Sequence, residues 1–465
     1  MAVVDFKPGK SLGVFQLVMI NVIAVDSIRT LPFSAAYGYS LVFFYILAAL
    51  FFFIPTALVS AELGTGWPTT GGVYIWVREA FGKKWSLVVI WLNWIYNVVW
   101  YPTIIALIAG TAAYFFDPSL SDNKLYMGSS VIVIFWLSTW FNLYGMKISG
   151  IISTIGAIIG TILPMVLISV LGFIWWKKGN PLAISLSSDA FFPSFTNGNN
   201  LAFLTNVLFG LMGLEMAATH AADMKNAQRD YPRSLFISVL IILGTIVFAS
   251  LAIALVVPSS QLNLATGAMQ AFSLFLHSLN MPWAIPLVAA FIILGGLSGI
   301  SAWIIGPTKG LMVASQDGSL PSYLKKKNKH GVPVNILITQ GVIVTILSLA
   351  FIVLPTVNSS FWILSAITAQ LALLVYIFLF AAAIKLHHFK PEVVRSFRVP
   401  GKKWGMWICS GFGLLSCVVV IGLGFIPPDQ VGAENYRFYE AGLIGGMLLL
   451  CLIPFYIVKK RKVVK

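Results

Sequence analysis

The sequence predicts an all-α integral membrane protein with twelve transmembrane helices, and three observations carry that prediction. Only 10% of the 465 residues are charged and 58% are hydrophobic, whereas a soluble domain carries roughly 25% charged residues. Mean hydropathy is +0.90, and apolar runs long enough to cross a bilayer core, about 20 residues each, recur along the whole chain. The basic residues, finally, gather in alternate connections between those runs. This composition excludes a water-soluble enzyme, a nucleic-acid reader and a disordered scaffold. The net charge of +15 is therefore a question of membrane topology, and no nucleic-acid partner is expected.

Apolar runs bounded by turn signals place the spans near residues 11 to 36, 39 to 63, 85 to 115, 127 to 147, 150 to 176, 200 to 224, 233 to 257, 283 to 314, 334 to 354, 360 to 384, 405 to 426 and 440 to 458. The stretch Pro68 to Gly82 between the second and third runs is too short and too charged to cross, and reads as an amphipathic segment lying at the interface. A similar surface piece is expected around Ser319 to Lys329. With the N-terminus in the cytoplasm, 24 of the 30 Lys and Arg residues fall on the cytoplasmic side. Lys124, Lys177, Lys178 and Arg437 fall outside, while Arg29 and Lys309 remain in the membrane. That asymmetry predicts both termini in the cytoplasm of a cell whose inner membrane holds the protein, with Lys459-Lys460-Arg461-Lys462 as a topology anchor. Cys409, Cys417 and Cys451 lie in apolar runs without disulfide or metal-ligand spacing, so neither metal nor cofactor is expected. The first run lacks a small-residue cleavage site, so no cleavable signal peptide is expected.

Two spans carry interruptions. In the first, Asp26 and Arg29 fall near mid-membrane, where charges cost several kcal/mol unless they pair or face water. Two readings fit: an Asp26 to Arg29 ion pair on one helical turn, or unwinding around Val25 to Ile28 with the polar groups facing a cavity. Asp26-Ser27 favours unwinding because both side chains compete for local backbone hydrogen bonds, and Pro32 disturbs the carbonyl around Ile28. In the sixth span, Gly210 and Gly213 precede Glu215, a pattern suited to a discontinuous helix. Breaks in the first and sixth spans occupy corresponding positions if ten spans form two five-span repeats, which points to a transporter with a binding site at the midplane.

Single residues are weighed against plainer roles. Lys309 either snorkels to the headgroups or pairs with a substrate or an internal acid. His220, five residues after Glu215 and thus on another helical face, is either a packing histidine or a proton sensor. Trp94, Tyr96, Trp100 and Trp303 are default packing aromatics, with Trp303 retained because its span is expected to line the cavity. Glu62, at the end of the second span, is expected to join a cytoplasmic network with Arg78 or Lys225.

The motifs resemble those of a known family. Pro68-Thr69-Thr70-Gly71-Gly72-Val73-Tyr74-Ile75-Trp76 is similar to the signature that follows the second helix of amino acid, polyamine and organocation (APC) transporters. Met212-Gly213-Leu214-Glu215 resembles their sixth-helix motif, and Lys225-Asn226-Ala227-Gln228-Arg229-Asp230-Tyr231-Pro232 the stretch after it. Ala218-Thr219-His220, Trp303 to Gly310 and Gly331 to Val334 look most like the bacterial glutamate/GABA antiporter group. The resemblance implies a LeuT-type fold with five-plus-five inverted repeats. Its transport core would cover 1–400, with repeats at about 11–176 and 200–384, and 401–465 would add helices 11 and 12 with a basic tail. It implies no enzyme activity but exchange of small-molecule amino acids by alternating access, in a lipid-embedded monomer or homodimer. Carried over by position, Val25, Asp26, Ser27, Ile28 and Arg29 would bind substrate, with free amides of Ser27, Ile28 and Arg29 receiving its carboxylate. Carbonyls around Leu208, Phe209, Gly210 and Leu211 would receive the ammonium, and Glu215 would act as the inner gate or proton-responsive acid. Trp303 as a residue closing over the substrate, and Lys309 and His220 as gating or proton-responsive groups, are candidates from the residues alone and not from the resemblance. The family's first-helix glycines are absent here, and Asp26 and Arg29 are additions. The fifth span also lacks the lysine that some proton-coupled relatives carry. Alternatives are a proton-coupled or uniport carrier of cationic amino acids, and a nontransporting amino-acid sensor.

Overall fold

The computed structural model describes residues 13–67, 72–143, 156, 158–193, 198–215, 227–316, 320–329, 331–427 and 436–462. Among the described residues the ordered elements are all helices and no strand is present. Among the described residues ten helices are long and apolar enough to cross a membrane, and an eleventh is counted if Val14–Val25 (α1) and Ile28–Ala35 (α2), bent by 42°, form one span. The rest of the order is Gly38–Gly66 (α3), Val73–Phe81 (α4), Lys83–Ala113 (α5), Lys124–Leu143 (α6), Ile158–Lys177 (α7) and Leu201–Gly210 (α8). There follow Ala227–Val256 (α9), Gly267–Ser278 (α10), Ile285–Gln316 (α11), Val334–Val353 (α12), Val357–Phe389 (α13), Lys402–Leu423 (α14) and Tyr436–Lys462 (α15). The sixth expected span is described only as the short apolar α8 and the break that ends it, and 216–226 lie outside the described residues.

Burial sorts the helices into centre and periphery. The apolar windows of α5 and α13 are buried over most of their length, and the two pack on each other. Those of α6, α14 and α15 are largely exposed, with Trp404, Leu415, Leu449 and Leu452 facing outward. An all-helical bundle with apolar outer faces suits a hydrocarbon surround, because every backbone group of a helix is satisfied within it. Helix α4 is not a span: it buries Tyr74, Trp76, Val77 and Ala80 against α5 and α13. Gly82, at φ 83, ends α4 and starts α5 with no intervening loop. Helices α7 and α11 cross at Gly160 and Gly295, where a methyl on either residue would collide with the backbone of the other, a close approach that small residues permit.

Candidate functional site: a cavity between two helix breaks

Helix α1 ends at Val25, and the Asp26 amide still bonds the Val22 carbonyl at 2.8 Å. Asp26 and Ser27 are then extended, and the chain resumes as a tight turn over Ile28–Thr30 followed by Leu31–Ala35. Pro32 sits in the first turn of that helical segment, where its missing N–H breaks nothing. Ser27, Ile28 and Arg29 open α2, and N–H groups there have no intrahelical acceptor. Thr30 donates back to the Ser27 carbonyl at 3.0 Å and closes the turn.

Of the two readings of the first span, the structure contains the unwinding and no ion pair. Asp26 receives the Thr245 hydroxyl of α9, at 3.0 and 3.2 Å from its two oxygens. Arg29 turns the other way. Its Nη1 donates to Ser365 of α13 at 3.2 Å and to Thr103 of α5 at 3.5 Å. Its guanidinium lies 5.1 Å from the centre of the Phe209 ring, within the range of a cation–π contact. The side chain is fully buried, yet Nε and Nη2 have no hydrogen-bond partner.

The second break begins where α8 ends at Gly210; Leu211 to Gly213 are not helical, and helix resumes at Leu214–Glu215. Gly213 has φ 127, and a Cβ there would lie 2.7 Å from the Ala24 carbonyl. A Cβ on Gly210 would approach Thr30 Oγ1 to 3.2 Å. The two breaks therefore pack backbone against backbone, and a residue with a side chain does not fit at Gly213. Glu215 folds back so that its carboxylate accepts the Gly213 amide at 3.1 Å and the Tyr376 hydroxyl of α13. The same Gly213 amide lies 3.0 Å from Tyr376 Oη.

A cavity of about 240 Å³ lies between these breaks. Val25 to Arg29, Phe209, Gly210, Glu215 and Trp303 border it, together with Tyr96 and Trp100 of α5. The Trp303 ring stands 6.1 Å from that of Trp100, and its carbonyl receives the Tyr101 hydroxyl at 2.9 Å. Leu208 and Leu211, expected at the site, are buried away from the cavity. The Leu208 carbonyl accepts the Leu211 amide at 3.0 Å and that of Phe209 the Met212 amide at 3.2 Å, because these bonds close the end of α8. Lys309 lies on α11, but its side chain is outside the described residues, as is His220 altogether. Tyr376, Thr245, Thr103 and Ser365 were not anticipated.

Glu62 has other partners than expected. It accepts His387 Nδ1 at 2.7 Å and the Val399 amide at 2.8 Å, with Arg395 at 3.5 Å. Arg78 instead lies over the Tyr74 ring at 5.7 Å, and Lys225 is outside the described residues. The connection from α13 to α14 folds back onto the end of α3, which brings partners distant in sequence to Glu62. Burial lowers the Arg395 guanidinium from its ordinary value, and Glu62 pulls it the other way. Among the described residues no group of His, Cys, Asp or Glu is arranged to hold a metal ion.

A bundle of membrane-length apolar helices around a cavity walled by two broken helices defines a multi-pass membrane carrier. The chain belongs to the amino acid permease family, whose profile matches residues 12–449, within the APC superfamily. It is 53% identical over 452 residues to an uncharacterized transporter of Legionella pneumophila, covering 97% of each chain. It is 28% identical over 454 residues to a glutamate/gamma-aminobutyrate antiporter of Lactococcus lactis, covering 96% of this chain and 90% of that one. A probable agmatine/putrescine antiporter of the same species is 27% identical over 431 residues, covering 92% and 91%.

Proposed function

We propose that the protein exchanges amino acids across the cytoplasmic membrane by alternating access, in the manner of a glutamate/GABA antiporter. The observation that carries this reading is one cavity bordered by both helix breaks. At the first break, free amides of Ser27, Ile28 and Arg29 form an electropositive end suited to a carboxylate. Arg29 adds a cation with two unused nitrogens beside it, which suits an acidic substrate. The protein does no chemistry; it shifts population between outward-open and inward-open states, biased by contacts that the substrate makes in the occluded one. In this reading twelve spans form two inverted five-span repeats plus a final pair, both termini lie in the cytoplasm, and Glu215 with Tyr376 and Gly213 forms an inner gate.

The test is counterflow in proteoliposomes. Labelled glutamate should enter vesicles preloaded with GABA or glutamate and stay out of empty ones. Equal uptake by empty vesicles would remove obligate exchange, and binding detected by thermal shift without any flux would make the protein a sensor. A second reading, carriage of cationic amino acids, is favoured by the two acids on the cavity wall, Asp26 and Glu215. Labelled arginine entering where glutamate does not would select it.

A further inference from the structure

The two carboxyl groups on the cavity wall differ in what they are offered. Glu215 receives two donors, the Gly213 amide and the Tyr376 hydroxyl, which suits a carboxylate. Asp26 has one neighbour of hydrogen-bonding kind among the described residues, the Thr245 hydroxyl. A hydroxyl carries a single proton and accepts through its lone pairs. Around Thr245 Oγ1 there are three acceptor groups: the Ile241 carbonyl at 2.9 Å, the Ile242 carbonyl at 3.0 Å and the Asp26 carboxyl at 3.0 Å. If Thr245 spends its proton on its own helix, its contact with Asp26 is a hydrogen bond only when Asp26 supplies the proton. Among the described residues no cation stands in for that proton. Asp26 has no ion-pair partner among the described residues, since Arg29 is committed to α5 and α13.

Among the described residues, the other groups facing Asp26 do not supply a compensating charge. From α3 comes Tyr45, whose hydroxyl is bonded to Ser34 at 2.7 Å. Tyr96 of α5 and Glu215 border the same cavity. Between Ser234 and Val256, α9 has no ionisable residue, and neither does α7 between Ile158 and Trp176. Helix α11 carries Lys309, whose side chain is outside the described residues.

We propose that Asp26 is a proton-carrying site that couples exchange to the proton gradient. The proposal rests on the cavity being the transport site. In the occluded state the Asp26 carboxylic acid donates its O–H to Thr245 Oγ1, and Thr245 donates to the Ile241 carbonyl. When the cavity opens to the more alkaline side, the proton leaves Asp26 for cavity water, and the Thr245 hydroxyl rotates to donate to the new carboxylate. One proton thus accompanies the substrate in one direction of the exchange, and no bond other than O–H is made or broken.

Two experiments on the full-length protein test this. In GABA-loaded proteoliposomes, acidifying the outside by one pH unit should raise the plateau of labelled glutamate about tenfold, the ratio that one coupled proton sustains. Asp26→Asn should lower exchange and make what remains indifferent to the gradient. Wild-type exchange with the same plateau at every gradient would overturn the coupling while leaving the exchanger intact; no exchange at equal pH would be a failure of the transport reading instead. Infrared spectroscopy of the purified protein needs no substrate. A protonated-carboxyl band should be present in wild type, vanish in Asp26→Asn and shift in Thr245→Val. If that band is missing in wild type, or Asp26→Asn leaves it unchanged, or, where Asp26→Asn does not fold, Thr245→Val leaves it unshifted, Asp26 is not the carrier.

Discussion

The two breaks that wall the cavity solve one problem by different means. The first is made without glycine: Asp26 and Ser27 adopt extended backbone angles open to any residue. It is held by side chains, Asp26 to Thr245 and Arg29 to Thr103 and Ser365. The second depends on backbone. Gly213 takes a conformation that residues with a Cβ rarely adopt and sits against the Ala24 carbonyl. A break secured by side chains can be edited one hydrogen bond at a time, whereas one secured by backbone contact tolerates no added atom.

That contrast ranks the effects of substitution. Gly213→Ala should be the most damaging. Alanine at positive φ destabilises by more than about 1 kcal/mol even where space is available, and here the methyl also meets the Ala24 carbonyl. We expect loss of exchange with a clearly lowered melting temperature in detergent; a fully active, stable variant would show that the breaks do not pack as described. Arg29→Met should separate function from stability. Exchange of an acidic substrate should fall at least about tenfold, the equivalent of about 1.4 kcal/mol, while the melting temperature holds or rises, because a buried charge without an ionic partner is costly. Tyr376→Phe deletes one donor to Glu215 at a cost of about 1–3 kcal/mol and leaves the Gly213 amide as its remaining partner. A several-fold slower exchange in stopped-flow counterflow is expected, with substrate affinity little altered if Tyr376 belongs to the gate. Ser27→Gly should cost only about 0.5–1 kcal/mol of backbone entropy; a collapse as large as that of Gly213→Ala would erase the distinction between the breaks. Lys390→Ala marks the lower bound. The ion pair of Lys390 with Glu79 is about one-third exposed, so thermal unfolding should register no more than about 1 kcal/mol, and exchange should be unaffected.

How much of the site was legible follows from the same contrast. Asp26, Arg29 and Glu215 stood out because charge is rare in an apolar chain, and the Asp-Ser and Gly-x-x-Gly patterns marked where helix would fail. Their partners did not stand out. Thr245, Thr103, Ser365 and Tyr376 sit in helices that are apolar on every side, so no amphipathic period says which face looks inward. Leu208 and Leu211 do not border the cavity for a related reason: the pattern located the end of the helix, but the carbonyls of Leu208 and Phe209 accept the amides that finish it. Glu62 was recognised as a network residue, but its partners lie more than 300 positions away in sequence, beyond any local rule.

Composition and hydropathy by themselves determined that this chain is a helical membrane protein, because a bilayer admits few ways to satisfy a backbone. The scarcity of charge then pointed to the cavity residues. Only the tertiary structure decided that Asp26 and Arg29 part rather than pair. That outcome depends on which hydroxyls α5, α9 and α13 bring to each of them, and helix packing, not local sequence, sets the rotation of those faces. The same packing placed the Ala24 carbonyl against Gly213 and made one of the two breaks a matter of a single missing methyl group.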